Sequence, residues 1–169
     1  ISNNYSGFSI AIVFCAVLVP FMIENLCIGR SNSKRVFMGD AGSMMLGFAI
    51  VWLLVDLSQG VNRSFAPVTA LWIFSIPLID FFSTIFRRIL KKQSPFKPDR
   101  GHLHHILIQK GFGELKSLLV ILFLTLIISF IGVLGELLKI SEWKMFYGFI
   151  FIFLLYFSYS LKLLNYSSN

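Results

Sequence analysis

The sequence predicts an all-α polytopic membrane protein with about five transmembrane helices and two functional cytoplasmic loops. Of its 169 residues, 56% are hydrophobic and only 14% are charged, whereas soluble domains average about 25% charged residues. The mean hydropathy is +0.78, and five apolar stretches approach the roughly 20 residues that a helix needs to cross a bilayer. These stretches lack the alternation of barrel strands, so we expect helices that satisfy their own backbone groups in lipid.

The five predicted spans occupy residues 8–23, 44–57, 66–86, 117–138 and 145–164. They leave two polar loops, residues 24–43 and 87–116, on the same side of the membrane. Twelve of the 15 Lys and Arg residues fall on this side, so the positive-inside rule makes it cytoplasmic.

Charge and composition exclude several other classes. The net charge of +7 is explained by the basic residues on the cytoplasmic side of the membrane. No nucleic-acid partner is expected, because the sequence lacks the pattern of basic residues alternating with aromatic ones that is typical of single-strand binding. The 19 Phe and the long aliphatic runs exclude a disordered chain. The two cysteines, Cys15 and Cys27, lie in or beside an apolar run, so they do not indicate a disulfide scaffold.

The first cytoplasmic loop ends in a carboxylate between two glycines, in residues 36–43 (VFMGDAGS). One interpretation makes Asp40 the N-cap of the second span, with Ser43 in its first turn. The other interpretation is a metal or phosphate site, because a carboxylate can bind Mg²⁺ together with substrate phosphates and helix-start amides favour anions.

The second cytoplasmic loop holds all three histidines of the chain, within residues 94–105 (SPFKPDRGHLHH). Three interpretations are open: a solvated loop that only fixes topology, a zinc site without cysteine, or an anion site formed by Arg100 with imidazole donors. Arg87 and Arg88 at the end of the third span could bind the same anion or simply anchor the helix.

Asp80 is the unusual residue of the third span, where it follows Pro77. An ionised carboxylate inside a membrane is costly and usually faces the bundle interior or a wet cavity. We therefore expect Asp80 to point away from lipid and to pair with a base on a neighbouring element.

Together, these motifs resemble the polyprenyl-phosphate N-acetylhexosamine 1-phosphate transferases. The resemblance rests on residues 36–43, on residues 76–80 (IPLID), and on residues 94–96 with 98–105. Their order, spacing and membrane sidedness agree with the family from about residue 21 to residue 112. Each motif alone is weak or moderate, whereas their joint occurrence is specific.

The resemblance implies a reaction and its partners. A UDP-N-acetylhexosamine would donate sugar 1-phosphate to a polyprenyl phosphate such as undecaprenyl phosphate, with release of UMP. Mg²⁺, or alternatively Mn²⁺, would be the cofactor. The expected role is to start a cell-envelope polysaccharide of the O-antigen or common-antigen type. The enzyme would be a multi-pass protein of the bacterial inner membrane with a cytoplasmic active site.

The same resemblance assigns roles to particular residues. Asp40 would be the Mg²⁺ ligand in the catalytic centre, and Phe37 would stack on the uracil ring. Asn25 resembles a substrate-binding asparagine of the family. The remaining residues would line the nucleotide-sugar phosphates, the histidines as catalytic groups and the arginines as substrate-binding groups: His102, His104, His105, Arg87, Arg88 and Arg100.

Two departures from the family pattern refine the prediction. His102 is separated by Leu103 from the other two histidines, where relatives that take a muramoyl-pentapeptide nucleotide have three in a row, and this favours a simpler UDP-N-acetylhexosamine. The family's loop with two adjacent aspartates is missing. Together with the Ile1 start, this predicts that residues 1–169 are the C-terminal part of a longer transmembrane catalytic domain, inactive alone. The oligomeric state stays open, with a homodimer among the alternatives.

The alternative function is a non-catalytic polytopic membrane protein, a transporter or scaffold subunit with a basic cytoplasmic face. Such a protein would carry charged or small residues along its spans. Apart from Asp80 the spans carry almost no charge, and the polar motifs concentrate in loops of one face. That distribution favours an enzyme acting at the membrane surface.

Overall fold

The described parts of the chain fold into α-helices. The computed structural model describes residues 2–26, 36–61, 63–94 and 102–166. Within these residues there are helices and no strands, which confirms the all-α prediction. The helices are α1 (Ser2–Leu26), α2 (Gly39–Ser58), α3 (Pro67–Ile73), α4 (Ser75–Leu90), α5 (Leu103–Gln109), α6 (Glu114–Leu137) and α7 (Glu142–Tyr166).

Four of these helices, α1, α2, α6 and α7, are long and apolar enough to cross a membrane. The pair α3 and α4 passes the same test when taken together, which raises the number of spans to five. Many large apolar side chains of these helices are exposed, as expected for helices that face lipid. The chain is therefore a multi-pass membrane protein, as its composition predicts.

The chain divides into two compact units, Ile1–Pro67 and Val68–Asn169. In the first unit α1 packs against α2. Gly7 allows this close approach, because a Cβ atom at Gly7 would lie 3.1 Å from Cδ2 of Leu57. In the second unit α4 packs against α6 and α7, and α5 packs against α6.

The third predicted span is not one helix, because it breaks at Phe74, where α3 and α4 meet at an angle of 81°. The cause is Pro77, which has no N–H to donate to the carbonyl of Ile73 and whose ring would clash with it in a continuous helix. The Ser129 hydroxyl of α6 replaces that donor, at 3.1 Å from the Ile73 carbonyl oxygen. The break is thus stabilised by a partner that the helix itself cannot supply.

Trp72 anchors the end of α3 in the second unit. Its side chain is buried, its Nε1–H donates to the Met145 carbonyl at 3.2 Å, and its ring meets Phe149 edge-on at 6.2 Å. Gly132 of α6 makes room for it, since a Cβ atom there would lie 2.2 Å from the Cβ atom of Trp72. Packing between α3, α6 and α7 therefore holds the bend.

Both predicted loops are shorter than expected because helices extend into them. α2 begins at Gly39, so Asp40 lies inside its first turn and not in the preceding loop. α4 continues to Leu90. The second loop also contains α5, which the sequence analysis did not predict and which is anchored by the buried side chain of Ile106.

Candidate active site

Asp40 and Phe37 are presented at the start of α2, in the first unit. The Phe37 side chain is 88% exposed, and Asp40 is exposed in the first helical turn. The residue at the N-cap is Met38, without a side-chain cap, so the capping interpretation of Asp40 is wrong. The Ser43 hydroxyl donates to the backbone carbonyl of Asp40 at 2.9 Å and not to its carboxylate.

The exposed position of Asp40 would allow its carboxylate to supply one oxygen ligand to Mg²⁺. Mg²⁺ is usually held by one or two carboxylates together with water and substrate phosphates, and not by an all-protein cage. Asp40 offers one exposed carboxylate, at a helix end whose dipole favours phosphate. The hard oxygen donor and its exposure are both compatible with such an ion.

Asn25 lies near the C-terminal end of α1, also in the first unit. Its side chain is half-buried, and its Nδ2 donates to the Phe21 carbonyl one turn earlier, at 3.0 Å. Its substrate-binding role stays a prediction.

Asp80 is the centre of a hydrogen-bond network in the second unit. Its Oδ1 accepts from the Leu103 backbone N–H at 2.9 Å and from the Tyr156 hydroxyl at 2.8 Å. Its Oδ2 lies 2.9 Å from Nδ1 of His102. The carboxylate is only 17% exposed, so it faces the bundle interior and pairs with a base on another element, as expected for an intramembrane acid.

The three imidazoles form a group at the start of α5. The rings of His102 and His104 are stacked with centroids 6.0 Å apart, and those of His104 and His105 lie 4.0 Å apart. The loss of water around its ring, the nearby His105 and the nearby His102 lower the pKa of His104. His104 is therefore neutral at pH 7, where a neutral ring both donates and accepts hydrogen bonds.

The zinc interpretation gains no support from the described residues. Among them, no three His, Cys, Asp or Glu side chains are grouped so that they could hold a metal ion. His102 instead directs Nδ1 at Asp80. The imidazole group is better suited to hydrogen bonding with an anionic ligand.

The arginines predicted to bind substrate differ in exposure. Arg87 is 2% exposed, and its Nη2 donates to the Thr84 hydroxyl at 2.9 Å. Arg88 is half-buried. Arg100 lies outside the described residues. The structure thus makes Arg88 the more accessible of the adjacent pair, while Arg87 is held within the bundle.

Two partners of Asp80, the Leu103 amide and the Tyr156 hydroxyl, were not predicted from the sequence. Their distance from Asp80 along the chain, 23 and 76 residues, leaves no local pattern to find. Tyr156 lies in an aromatic-rich helix where nothing marks it among its neighbours. The only sequence signal was Asp80 itself, an intramembrane acid that needs hydrogen-bond donors.

The fold is that of a multi-pass membrane protein. Polar and titratable residues of the motifs lie near the ends of α2, α4 and α5, as in the class of membrane enzyme that the motifs resemble. Comparison with known proteins agrees with that class. The chain is 45% identical over 139 residues to an undecaprenyl-phosphate alpha-N-acetylglucosaminyl 1-phosphate transferase of Haemophilus influenzae, a match that covers 82% of the chain. Proteins with the same name from Pasteurella multocida and Escherichia coli strain K12 are 46% and 40% identical over 85% and 83% of the chain.

The chain is therefore a homologue of these transferases, and the resemblance stated from the motifs is confirmed. It matches a fragment of them, spanning about two fifths of their length: 39% for the Haemophilus protein, 40% for the Pasteurella protein and 38% for the Escherichia protein. No protein-family model matches the chain. No solved structure matches it.

Proposed function

We propose that the complete gene product carrying this sequence transfers N-acetylglucosamine 1-phosphate from UDP-N-acetylglucosamine to undecaprenyl phosphate. The observation that carries the proposal is the 40–46% identity to transferases with this name over most of the chain, a region that includes the Asp40 and histidine motifs. The non-catalytic alternative is not favoured, because these curated relatives are named as enzymes.

The proposed step exchanges one phosphorus–oxygen bond for another. An oxygen of the lipid phosphate attacks the phosphorus linked to the sugar, and the bond from that phosphorus to the bridging oxygen of the diphosphate breaks. UMP leaves with the bridging oxygen, and the sugar remains joined to the lipid through a new diphosphate. Such a transfer depends mainly on positioning and on stabilising spread negative charge.

The residues at the two motifs suit that task. Asp40 would hold Mg²⁺, which when bound neutralises negative charge on the diphosphate. Phe37, whose side chain is 88% exposed, is suited to stack on the uracil ring. His104, His105 and Arg88 would supply donors for phosphate oxygens, with Arg100 as the further predicted donor. His102 would line the same phosphates.

The location also fits the substrates. The lipid phosphate sits at headgroup level, where a soluble nucleotide sugar must meet it. The polar motifs lie at helix ends, on the face that the basic residues predict to be cytoplasmic. We propose a bacterial inner-membrane enzyme whose product starts a cell-envelope polysaccharide.

A double-label assay on the complete gene product in detergent tests the proposal. UDP-N-acetylglucosamine labelled with ¹⁴C in the sugar and ³²P in the sugar-linked phosphate is incubated with undecaprenyl phosphate and Mg²⁺. We expect both labels in the lipid extract at a 1:1 ratio and an equal amount of UMP. EDTA should abolish the transfer, and Mg²⁺ or Mn²⁺ should restore it. Release of UDP, or ¹⁴C in lipid without ³²P, would contradict the proposal.

A further inference from the structure

We propose that Asp80 is a positioning residue that holds His102 in one tautomer and one orientation. The inference rests on the proposed function in one respect, that His102 acts on the substrate phosphates. Its structural part, the state of the His102 ring, stands on the hydrogen-bond network alone and can be measured without any assay of transfer.

The donor count around Asp80 fixes the tautomer. A carboxylate can only accept hydrogen bonds, and two of its three partners, the Leu103 amide and the Tyr156 hydroxyl, are donors. The third partner, Nδ1 of His102 at 2.9 Å, must therefore carry a hydrogen as well. In the neutral ring Nε2 is then the lone-pair nitrogen. It is the ring nitrogen left for a ligand, from which it can accept a proton or a hydrogen bond but to which it cannot donate.

The network also fixes the position of the ring. Asp80 contacts both the imidazole of His102 and the backbone of the next residue, Leu103, so the segment entering α5 is held at two successive points. Tyr156 of α7 holds the carboxylate from the other side. Three elements of the second unit thus meet at one carboxylate that is only 17% exposed.

The effect extends to the neighbouring histidine. The rings of His102 and His104 are nearly parallel, with an angle of 12° between them. A ring held by Asp80 therefore gives its neighbour a fixed surface to stack on. The consequence is an imidazole group whose nitrogens keep defined directions before substrate arrives, which lowers the cost of ordering them during the reaction.

Asp80→Asn separates positioning from a merely structural role. The amide oxygen can still accept from the Leu103 amide and the Tyr156 hydroxyl, and the side chain keeps its size. Its NH₂ group now faces Nδ1 of His102 and can only donate, so Nδ1 must become an acceptor and the hydrogen moves to Nε2. The fold is retained while the tautomer changes.

The tautomer is measured by ¹⁵N NMR of histidine-labelled complete gene product. For the wild type we expect Nδ1 of His102 to be protonated at pH 7.5, and for Asp80→Asn we expect the signals of Nδ1 and Nε2 to exchange roles. Glu136→Gln is the matched control, because Glu136 is also a carboxylate that accepts from a hydroxyl, that of Thr69; its His102 signals should equal those of the wild type. A wild type with unprotonated Nδ1 would overturn the proposal, even if no variant folds.

The kinetic test uses the same variants in the double-label assay. We expect Asp80→Asn to lower kcat on the order of 100-fold with little change in KM for the nucleotide sugar, and Tyr156→Phe, which keeps the His102 contact, to lower it less than Asp80→Asn. An Asp80→Asn enzyme with exchanged tautomer and wild-type kcat would overturn the positioning role. If the wild type transfers nothing but its tautomer is as expected, the proposed function fails and the structural part of the inference stands.

Discussion

The two motif regions differ in how their carboxylates are used. Asp40, at the start of α2, is exposed, and the Ser43 hydroxyl donates to its backbone carbonyl and not to its carboxylate. Asp80, inside α4, is 17% exposed and accepts hydrogen bonds from three other groups, one of them on α7. The Asp40 carboxylate is therefore exposed to a ligand, whereas the Asp80 carboxylate is held by hydrogen bonds within the second unit.

This difference in exposure indicates which carboxylate is suited to bind a metal ion and which is suited to position another residue. A metal ligand must exchange water and substrate oxygens, so exposure is required. A positioning group must not move, so burial and several donors are required. The same side chain therefore has opposite requirements in the two regions, and the two can be separated by substitution.

The largest effect is expected for Asp40→Asn. Because we propose that Asp40 holds Mg²⁺, removing its charge should lower kcat for sugar-phosphate transfer on the order of 1000-fold, measured with the double-label assay at saturating substrates. Asp56→Asn is the matched control, because Asp56 is an exposed acid at the other end of the same helix, and it should stay within about twofold of the wild type. Equal losses in both variants would mean that Asp40 has no special role.

Phe37→Ala should act on binding and not on chemistry. Stacking of a base on an aromatic ring contributes about 1–3 kcal/mol, so we expect KM for the nucleotide sugar to rise about tenfold with kcat nearly unchanged. Phe48→Ala removes another exposed phenyl ring from α2 and should leave KM as it is. A Phe37→Ala enzyme with wild-type KM would exclude the stacking role.

A smaller, purely structural effect is expected from Gly132→Ala in the second unit. The new Cβ atom would overlap Trp72, and overpacking of this kind costs about 1–3 kcal/mol, so Tm in detergent should fall by a few degrees. Gly47→Ala in α2 is the control, since a Cβ atom there meets nothing within 4 Å. A Tm that is unchanged in both variants would mean that the bend after α3 does not depend on close packing.

The smallest effect concerns pH. The surroundings of His104 lower its pKa, so the folded protein takes up this proton at a lower pH than an unfolded histidine, whose pKa is about 6.5. His104 therefore has no effect on the free energy of unfolding above about pH 6.5, and it lowers that free energy as the pH falls below this value. An NMR titration of the ring should show a midpoint below 6.5, and His105→Gln should raise it. A midpoint at or above 6.5 in the wild type would contradict the geometry of the imidazole group.

Much of the fold could be predicted because apolar length is a local property. The apolar stretches were each found from composition alone, and α1, α2, α6 and α7 lie where the sequence predicts spans. The break at Phe74 was missed although Pro77 was visible. A proline three residues into a helix is compatible with a straight span or a bend, and here Ser129, far along the chain, accompanies the bend by supplying the missing donor.

The residues of the site could be predicted from the sequence, but the contacts between them could not. An intramembrane acid needs a partner, so the pairing of Asp80 with a base followed from its position. The choice of His102 depended on a contact between α4 and the start of α5 that the sequence does not reveal. Asp40 was predicted to cap the second span, but α2 begins one residue earlier, at Gly39, which adopts a positive φ of 71°. A contact between segments distant in the chain thus decides the partner of Asp80.

The central claim is that Asp40 contacts a metal ion and Asp80 does not, and replacement of each by cysteine tests it most directly. Thiolate binds softer ions better than Mg²⁺. We predict that Asp40→Cys transfers sugar phosphate poorly with Mg²⁺ and recovers when Mn²⁺ or Cd²⁺ is added, whereas Asp80→Cys stays impaired with every ion. Recovery of Asp80→Cys by Cd²⁺, with no recovery of Asp40→Cys, would contradict the account.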